Sequence, residues 1–302
     1  MIRAYCGEDK KGTKEHIISS GILDLFPECF LTIDRDKGRQ YPADPVIKDV
    51  CAECNNNKIS YIDSYSKIFV KKYFKKEYQP DEEIEIEYDL AMIQKILLKY
   101  AYNDLRARGQ DTSFFNEDIR KYLMTEELNT PLENVTILGG LAINTTPAPL
   151  WMMGNLKIQW SPSPVFVSNF IGRLDYHTGK IEQEKLEGIQ TTYIFRFNTG
   201  QFILICWKNA KEEVKRNKVV LKFQYPYKEL GKEGVVKLKR CTGYLNYHMF
   251  NLIDTNLGLA LQDEIGYIHD YQKSEKTDLM KELNSNWSQE EKLLLKKYPR
   301  KK

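Results

Sequence analysis

A chain of 302 residues with 29% charged and 42% hydrophobic residues has the composition of a soluble globular protein, long enough for about two domains. Its formal net charge of +3 excludes a protein whose nucleic-acid affinity rests on overall charge, so any such surface must come from local clustering. No apolar run reaches the roughly 18 residues of a membrane-spanning helix, the N-terminus lacks a signal-peptide core, and the six cysteines do not form a secreted disulfide framework, so a reducing, cytoplasmic setting is expected.

In chain order, residues 1–13 suggest a short strand and a Gly-rich turn, and Glu15 to Ile18 a strand that stops at Ser19-Ser20-Gly21. Residues 19–45 form a long connection with Pro27, Gly38, Pro42 and Pro45, within which Ile22, Leu23, Leu25 and Phe26 mark a short helix. Val46 to Val50 is a second strand candidate. A helix is expected from near Cys51 to about Lys76, because Ile62, Tyr65, Phe69 and Tyr73 recur at three- and four-residue spacing. Lys67, Lys71 and Lys75 follow at i, i+4, i+8 on another face. Pro80-Asp81-Glu82-Glu83 is a turn-like boundary. Leu90, Ile93, Leu97 and Tyr100 mark an amphipathic helix ending near Gly109, and Phe115 to Met124 a shorter one.

From Val135 onward the pattern changes to strands: Val135 to Ile143, Leu156 to Trp160, Val165 to Leu174 and Val219 to Gln224. Tyr193 to Phe197 and Gln201 to Trp207, joined by Asn198-Thr199-Gly200, predict a hairpin. Ala210 to Lys218 is a short charged helix or turn. After Leu245 the chain looks helical and ends in a basic tail, Lys296 to Lys302. The expected fold class is α+β, with divisions at 1–80, 85–130 and 131–302.

Two short strings carry the chemistry. Glu15-His16 offers a carboxylate and an imidazole able to accept a proton near neutral pH. Cys51-x-x-Cys54-Asn55 offers two thiolates suited to one face of a tetrahedral Zn²⁺, followed by an amide oxygen suited to Mg²⁺ or Mn²⁺. Asn56 is the reserve for Asn55, and either amide could instead cap the helix. Asp63, two turns on, is expected to be an ordinary helix charge. His177 falls in a turn-like string, His248 and His269 lack metal-ligand neighbours, and Cys206 belongs to a strand core.

The pairing of these strings resembles the HNH, or ββα-metal, endonucleases over roughly the first quarter of the chain. The resemblance implies an N-terminal ββα-metal unit, a helical bridge and a β-containing C-terminal domain with terminal helices. It implies His16 as general base, Glu15 and Asn55 as ligands of one Mg²⁺ or Mn²⁺, and Cys6, Cys51 and Cys54 as a structural zinc set. Arg3 stands where that family carries a further cysteine. The zinc set is then either three thiolates with a ligand from elsewhere, Cys29 being the nearest other thiol, or a site that has lost zinc. Asp49 is nearest to the family's central Asn. Lys58, Lys67, Lys71 and Lys75 are the candidate phosphate contacts.

The implied activity is hydrolysis of phosphodiesters in DNA, with RNA left open and defence against foreign DNA as the family association. The C-terminal domain would set target choice, oligomer contacts or regulation. Two other readings stand beside it: a zinc-stapled DNA-binding module without catalysis, and a subunit of a defence complex triggered by its partner.

Overall fold

The computed structural model describes residues 2–26, 32–34, 39–41, 43–76, 78, 82–142, 165–169, 172–174, 181–183, 188–210 and 227–242. The expected strands at Leu156–Trp160 and Val219–Gln224, most of the charged stretch after Ala210, the helices after Leu245 and the basic tail lie outside these residues.

The mixed helix and strand content agrees with the α+β expectation. The chain opens with an isolated bridge between Ile2 and Asp9 rather than a full strand. Strand β1 (Gly12–His16) leads into α1 (Ser20–Leu23), whose N-cap Ser19 accepts a hydrogen bond from the Gly21 amide. A small hairpin, β2 (Thr32–Asp34) and β3 (Arg39–Tyr41), precedes β4 (Val46–Cys51). The strand expected over Glu15 to Ile18 thus begins and ends earlier. After His16 the backbone is held by the Ile17 amide on Pro45 O, and Ile18 turns into the core.

The helix expected from Cys51 is divided. Cys54–Lys58 form a wide π-helical turn, Ile59 breaks it, and α2 spans Ser60–Tyr73. Lys75 therefore lies beyond the last turn of α2 and does not extend the helical stripe of Lys67 and Lys71.

Strand β5 (Ile84–Glu87) was not anticipated, although its alternating Ile-Glu-Ile-Glu is a period-two pattern. It is followed by α3 (Leu90–Arg108) and α4 (Glu117–Met124). Asp89 and Asn116 cap these helices through their side chains, and Gly109 closes α3 at φ +66°, a left-handed position that glycine takes without steric penalty.

The C-terminal part is built on β6 (Val135–Ala142), β7 (Val165–Ser168), β8 (Gly172–Leu174), β9 (Ile181–Gln183), β10 (Ile189–Phe197), β11 (Gly200–Trp207), β12 (Lys228–Glu229), β13 (Val235–Leu238) and β14 (Arg240–Thr242). The strand expected over Val165 to Leu174 is two strands, and only the first joins the main sheet. That sheet has the order β12-β6-β11-β10-β7, with β14 parallel to β6; β13 pairs with β5 from the far end of the chain. The expected β10–β11 hairpin forms, but it turns at Asn198-Thr199 alone, with Asn198 at φ +52° and Gly200 already paired in β11.

Helix α3 is the centre of the molecule. Ala91 and every residue from Ile93 to Leu105 are buried, including Gln94, Lys95, Lys99, Asn103 and Asp104. Its apolar residues pack towards the sheet, where Tyr100 meets Phe197 at 6.3 Å between ring centres and the Tyr193 hydroxyl donates to Asp104 Oδ2. Helix α2 packs beside it, with Phe69 and Phe74 both against Phe202. One hydrophobic cluster contains Tyr5, Ile62, Phe74, Leu97, Leu123, Phe197 and Phe202, so the core is continuous across positions 80 and 130.

Candidate functional site

Strands β1 and β4 pair antiparallel and deliver the chain directly into the helical turn at Cys54, giving a strand–strand–helix unit around both sequence strings. Thr13 faces Val50 and Glu15 faces Ile47, so β4 carries one extra residue over this step. An extra residue of this kind generally bends a strand and sharpens its twist. Gly12 sits where this pair is tightest: a Cβ there would lie 2.3 Å from Lys48 O and 2.7 Å from the Arg3 guanidinium.

The three predicted thiols come together. Cys6 ends the first turn, Cys51 ends β4 and Cys54 opens the helical turn; their sulfurs all lie within 4.8 Å of one another, with Cys6 and Cys51 3.8 Å apart. This cluster could hold a metal ion. Burial opposes ionisation of Cys51, but the Cys54 amide, the two neighbouring thiols and Lys10 together hold its pKa below the ordinary thiol value. Burial and the adjacent sulfurs push Cys54 up to about 12. A metal ion bound here would displace the thiol protons, since cysteine ligates as thiolate. Arg3 is buried with its guanidinium on the carbonyls of Lys10 and Lys48.

Glu15 and His16 leave β1 in opposite directions, as neighbours on a strand do. His16 is half-exposed and its Nε2 lies 3.3 Å from Asp44 Oδ2, in the segment just before β4. The contact with Asp44 is made by Nε2, so Nδ1 is the ring nitrogen that does not meet this carboxylate. Glu15 points inward and is 4% exposed. Its Oε1 lies 2.9 Å from Lys99 Nζ, which also binds Asp63 Oδ2 at 2.6 Å. Burial raises the Glu15 pKa while Lys99 pulls it down. Glu15 was expected to face a divalent cation; it faces an ammonium. Asp63, expected to be an ordinary helix charge, is the second carboxylate on the buried Lys99 and is itself partly exposed.

Asn55 bonds to β1 through its amide nitrogen, donating to Lys14 O at 2.8 Å and Thr13 Oγ1 at 3.2 Å, which leaves Oδ1 as the atom able to ligate a cation. Asn56 is exposed. Lys58 is half-buried, and Lys67, Lys71 and Lys75 are exposed. Asp49 binds Arg106 at 2.6 Å, and Arg106 stacks over the Tyr102 ring at 4.2 Å.

Sequence reasoning missed the groups that hold the Glu15-His16 dipeptide from α3. Asn103 Nδ2 donates to His16 O at 2.9 Å and to Glu15 Oε1 at 3.3 Å, while its Oδ1 accepts from the Tyr5 hydroxyl and from Arg106. A signal was present: Lys95, Lys99 and Asn103 recur every four residues along the helix, a polar stripe with a partner to find. His177, His248, His269, Cys29 and the side chain of Cys241 lie outside the described residues; Cys206 is buried in β11 as expected.

Comparison with protein-family models, with curated proteins and with solved structures gave no match. No helix among the described residues is long and apolar enough to cross a membrane.

Proposed function

We propose that the β1–β4 pair and the helix after it form a phosphodiester-hydrolysing site of the HNH type, acting on DNA. The observation that carries this reading is the half-exposed His16 at the end of β1, its Nε2 on Asp44 and its backbone carbonyl held by Asn103. Asp44 favours the tautomer in which Nδ1 takes a proton from water, and Asn103 positions the strand end. The water oxygen attacks phosphorus, the bond to the leaving oxygen breaks, and that oxygen takes up a proton. Lys58, Lys67 and Lys71 lie on the helical segments that follow β4 and offer positive charge to the phosphate backbone.

The cation pair expected from the resemblance, Glu15 with Asn55, does not fit Mg²⁺ or Mn²⁺ in this arrangement. Glu15 is enclosed and its charge is matched by Lys99. The thiol cluster fits Zn²⁺ by donor type and spacing, as a staple that fixes β4 to the first turn.

The same Lys99–Glu15 contact favours a second reading, a zinc-stapled module that binds DNA without cutting it. Incubating supercoiled plasmid with the purified chain, with Mg²⁺, Mn²⁺ or chelator, separates the two. Nicking by wild type that disappears in His16→Ala supports hydrolysis. Equal products from both proteins, or DNA binding with no cleavage in any condition, removes it.

A further inference from the structure

We propose that Met124 supplies the fourth donor of the thiol cluster, making a four-sulfur site for a thiophilic divalent d¹⁰ cation that ties α4 to the β1–β4 unit. The inference rests on the zinc reading of Cys6, Cys51 and Cys54 but not on nuclease activity.

Three thiolates leave one position of a tetrahedral ion open. Among the described residues no His, Asp or Glu joins the three cysteines in one cluster, so neither imidazole nor carboxylate fills it from there. Arg3, which stands at the missing cysteine of the resembled pattern, is turned to the carbonyls of Lys10 and Lys48 and carries no ligand atom. The next sulfur is Met124, the last residue of α4, whose Sδ lies 3.9 Å from Cys54 Sγ.

The spacing suits a shared ion. Two sulfurs each bound at about 2.3 Å to a tetrahedral centre stand about 3.8 Å apart. Cys6–Cys51 at 3.8 Å and Cys54–Met124 at 3.9 Å are two edges of that size, on opposite pairs of donors. The chemistry narrows the cation. A thioether is a soft, neutral ligand that hard ions such as Mg²⁺ reject. Three thiolates and a thioether carry a charge of −1 around a divalent ion and −2 around a monovalent one. The partly buried setting favours the smaller value. Zn²⁺ and Cd²⁺ satisfy both conditions.

The full chain, reduced and stripped of metal, is titrated with Zn²⁺ and Cd²⁺ against a competing chelator, as wild type, Met124→Leu, Cys51→Ser and Cys29→Ser. Sulfur neighbours are counted by X-ray absorption at the bound metal. One ion per chain with four sulfur neighbours is expected. Met124→Leu, which keeps the packing volume, should weaken binding about tenfold or more and replace one sulfur by oxygen. Cys51→Ser should abolish binding, and Cys29→Ser should change nothing. Three sulfurs and one oxygen in wild type, or unaltered affinity in Met124→Leu, overturns the role of Met124 while leaving the three-thiolate site standing. Loss of a sulfur in Cys29→Ser assigns the fourth donor to that residue instead. No bound ion in wild type removes the zinc staple and this inference together.

Discussion

Lys99 Nζ lies 2.9 Å from Glu15 Oε1 and 2.6 Å from Asp63 Oδ2, with the lysine side chain wholly buried. Removing that charge strands the Glu15 carboxylate in the interior and takes the partner from the partly exposed Asp63. Lys99→Met is expected to lower unfolding free energy by about 3–5 kcal/mol in urea titrations at neutral pH. A loss below about 1 kcal/mol would contradict the pairing.

The same contact sets a pH dependence. Burial already places the Glu15 pKa above its ordinary value, and Lys99 is the main force opposing the rise. Without Lys99 the rise is larger. A carboxyl whose folded pKa is raised contributes stability fully present below its unfolded pKa and lost as pH rises through the folded one. The deficit of Lys99→Met relative to wild type should therefore shrink as pH falls towards 4 and widen towards 7. A deficit that is flat over this range would argue against it.

Lys95 gives a second pH test on the alkaline side. Its ammonium is buried against the rings of Tyr61 and Tyr122 and donates to the carbonyls of Thr125 and Glu126; burial lowers its pKa to about 8. The folded chain then releases this proton before the unfolded chain does, so wild type should gain stability relative to Lys95→Met as pH rises from about 8 towards the ordinary lysine value. The slope cannot exceed about 1.4 kcal/mol per pH unit. Parallel melting curves for the two proteins across pH 7–10 would count against a lowered Lys95.

At the proposed base, His16→Ala should reduce cleavage by about 10²–10⁴-fold, the usual contribution of a positioned proton acceptor. Asp44→Asn keeps a hydrogen-bond acceptor and should give a smaller loss. Single-turnover nicking rates measure both, and an Asp44→Asn protein slower than His16→Ala would show that the carboxylate does something other than orient the ring.

Asn55→Ala removes two hydrogen bonds to β1 and should lower stability by about 1–2 kcal/mol, whereas Asn56→Ala, at an exposed position, should stay within about 0.5 kcal/mol of wild type. Equal effects would mean that the amide bonds of Asn55 contribute nothing.

The strand–strand–helix order around Glu15-His16 and Cys51-x-x-Cys54 was legible because local patterns specify it, and so was the β10–β11 hairpin, apart from Gly200, which joins the strand rather than the turn. The Cys51-x-x-Cys54 pair was legible from spacing, whereas Cys6 was expected beside it only from the resemblance; the short β1–β4 pair brings the three together. The fate of Glu15 was not legible: its partner Lys99 lies 84 residues away in sequence, on a helix whose apolar residues gave the stronger signal. The β5–β13 pair, the unexpected bond from Asn103 to His16, and the approach of Met124 to Cys54 likewise depend on long-range packing that no local window contains.

The turn of the β10–β11 hairpin rests on the end of α2. A Cβ on Gly200 would stand 2.6 Å from the Phe74 ring, and Asn198 and Thr199 both donate to Phe74 O. The N-terminal unit is therefore not a portable cassette. Severed near residue 80, it would carry a bare aromatic face and lose the hydrogen bonds that close its last helix, so grafting it onto another protein would transplant half of a shared interior.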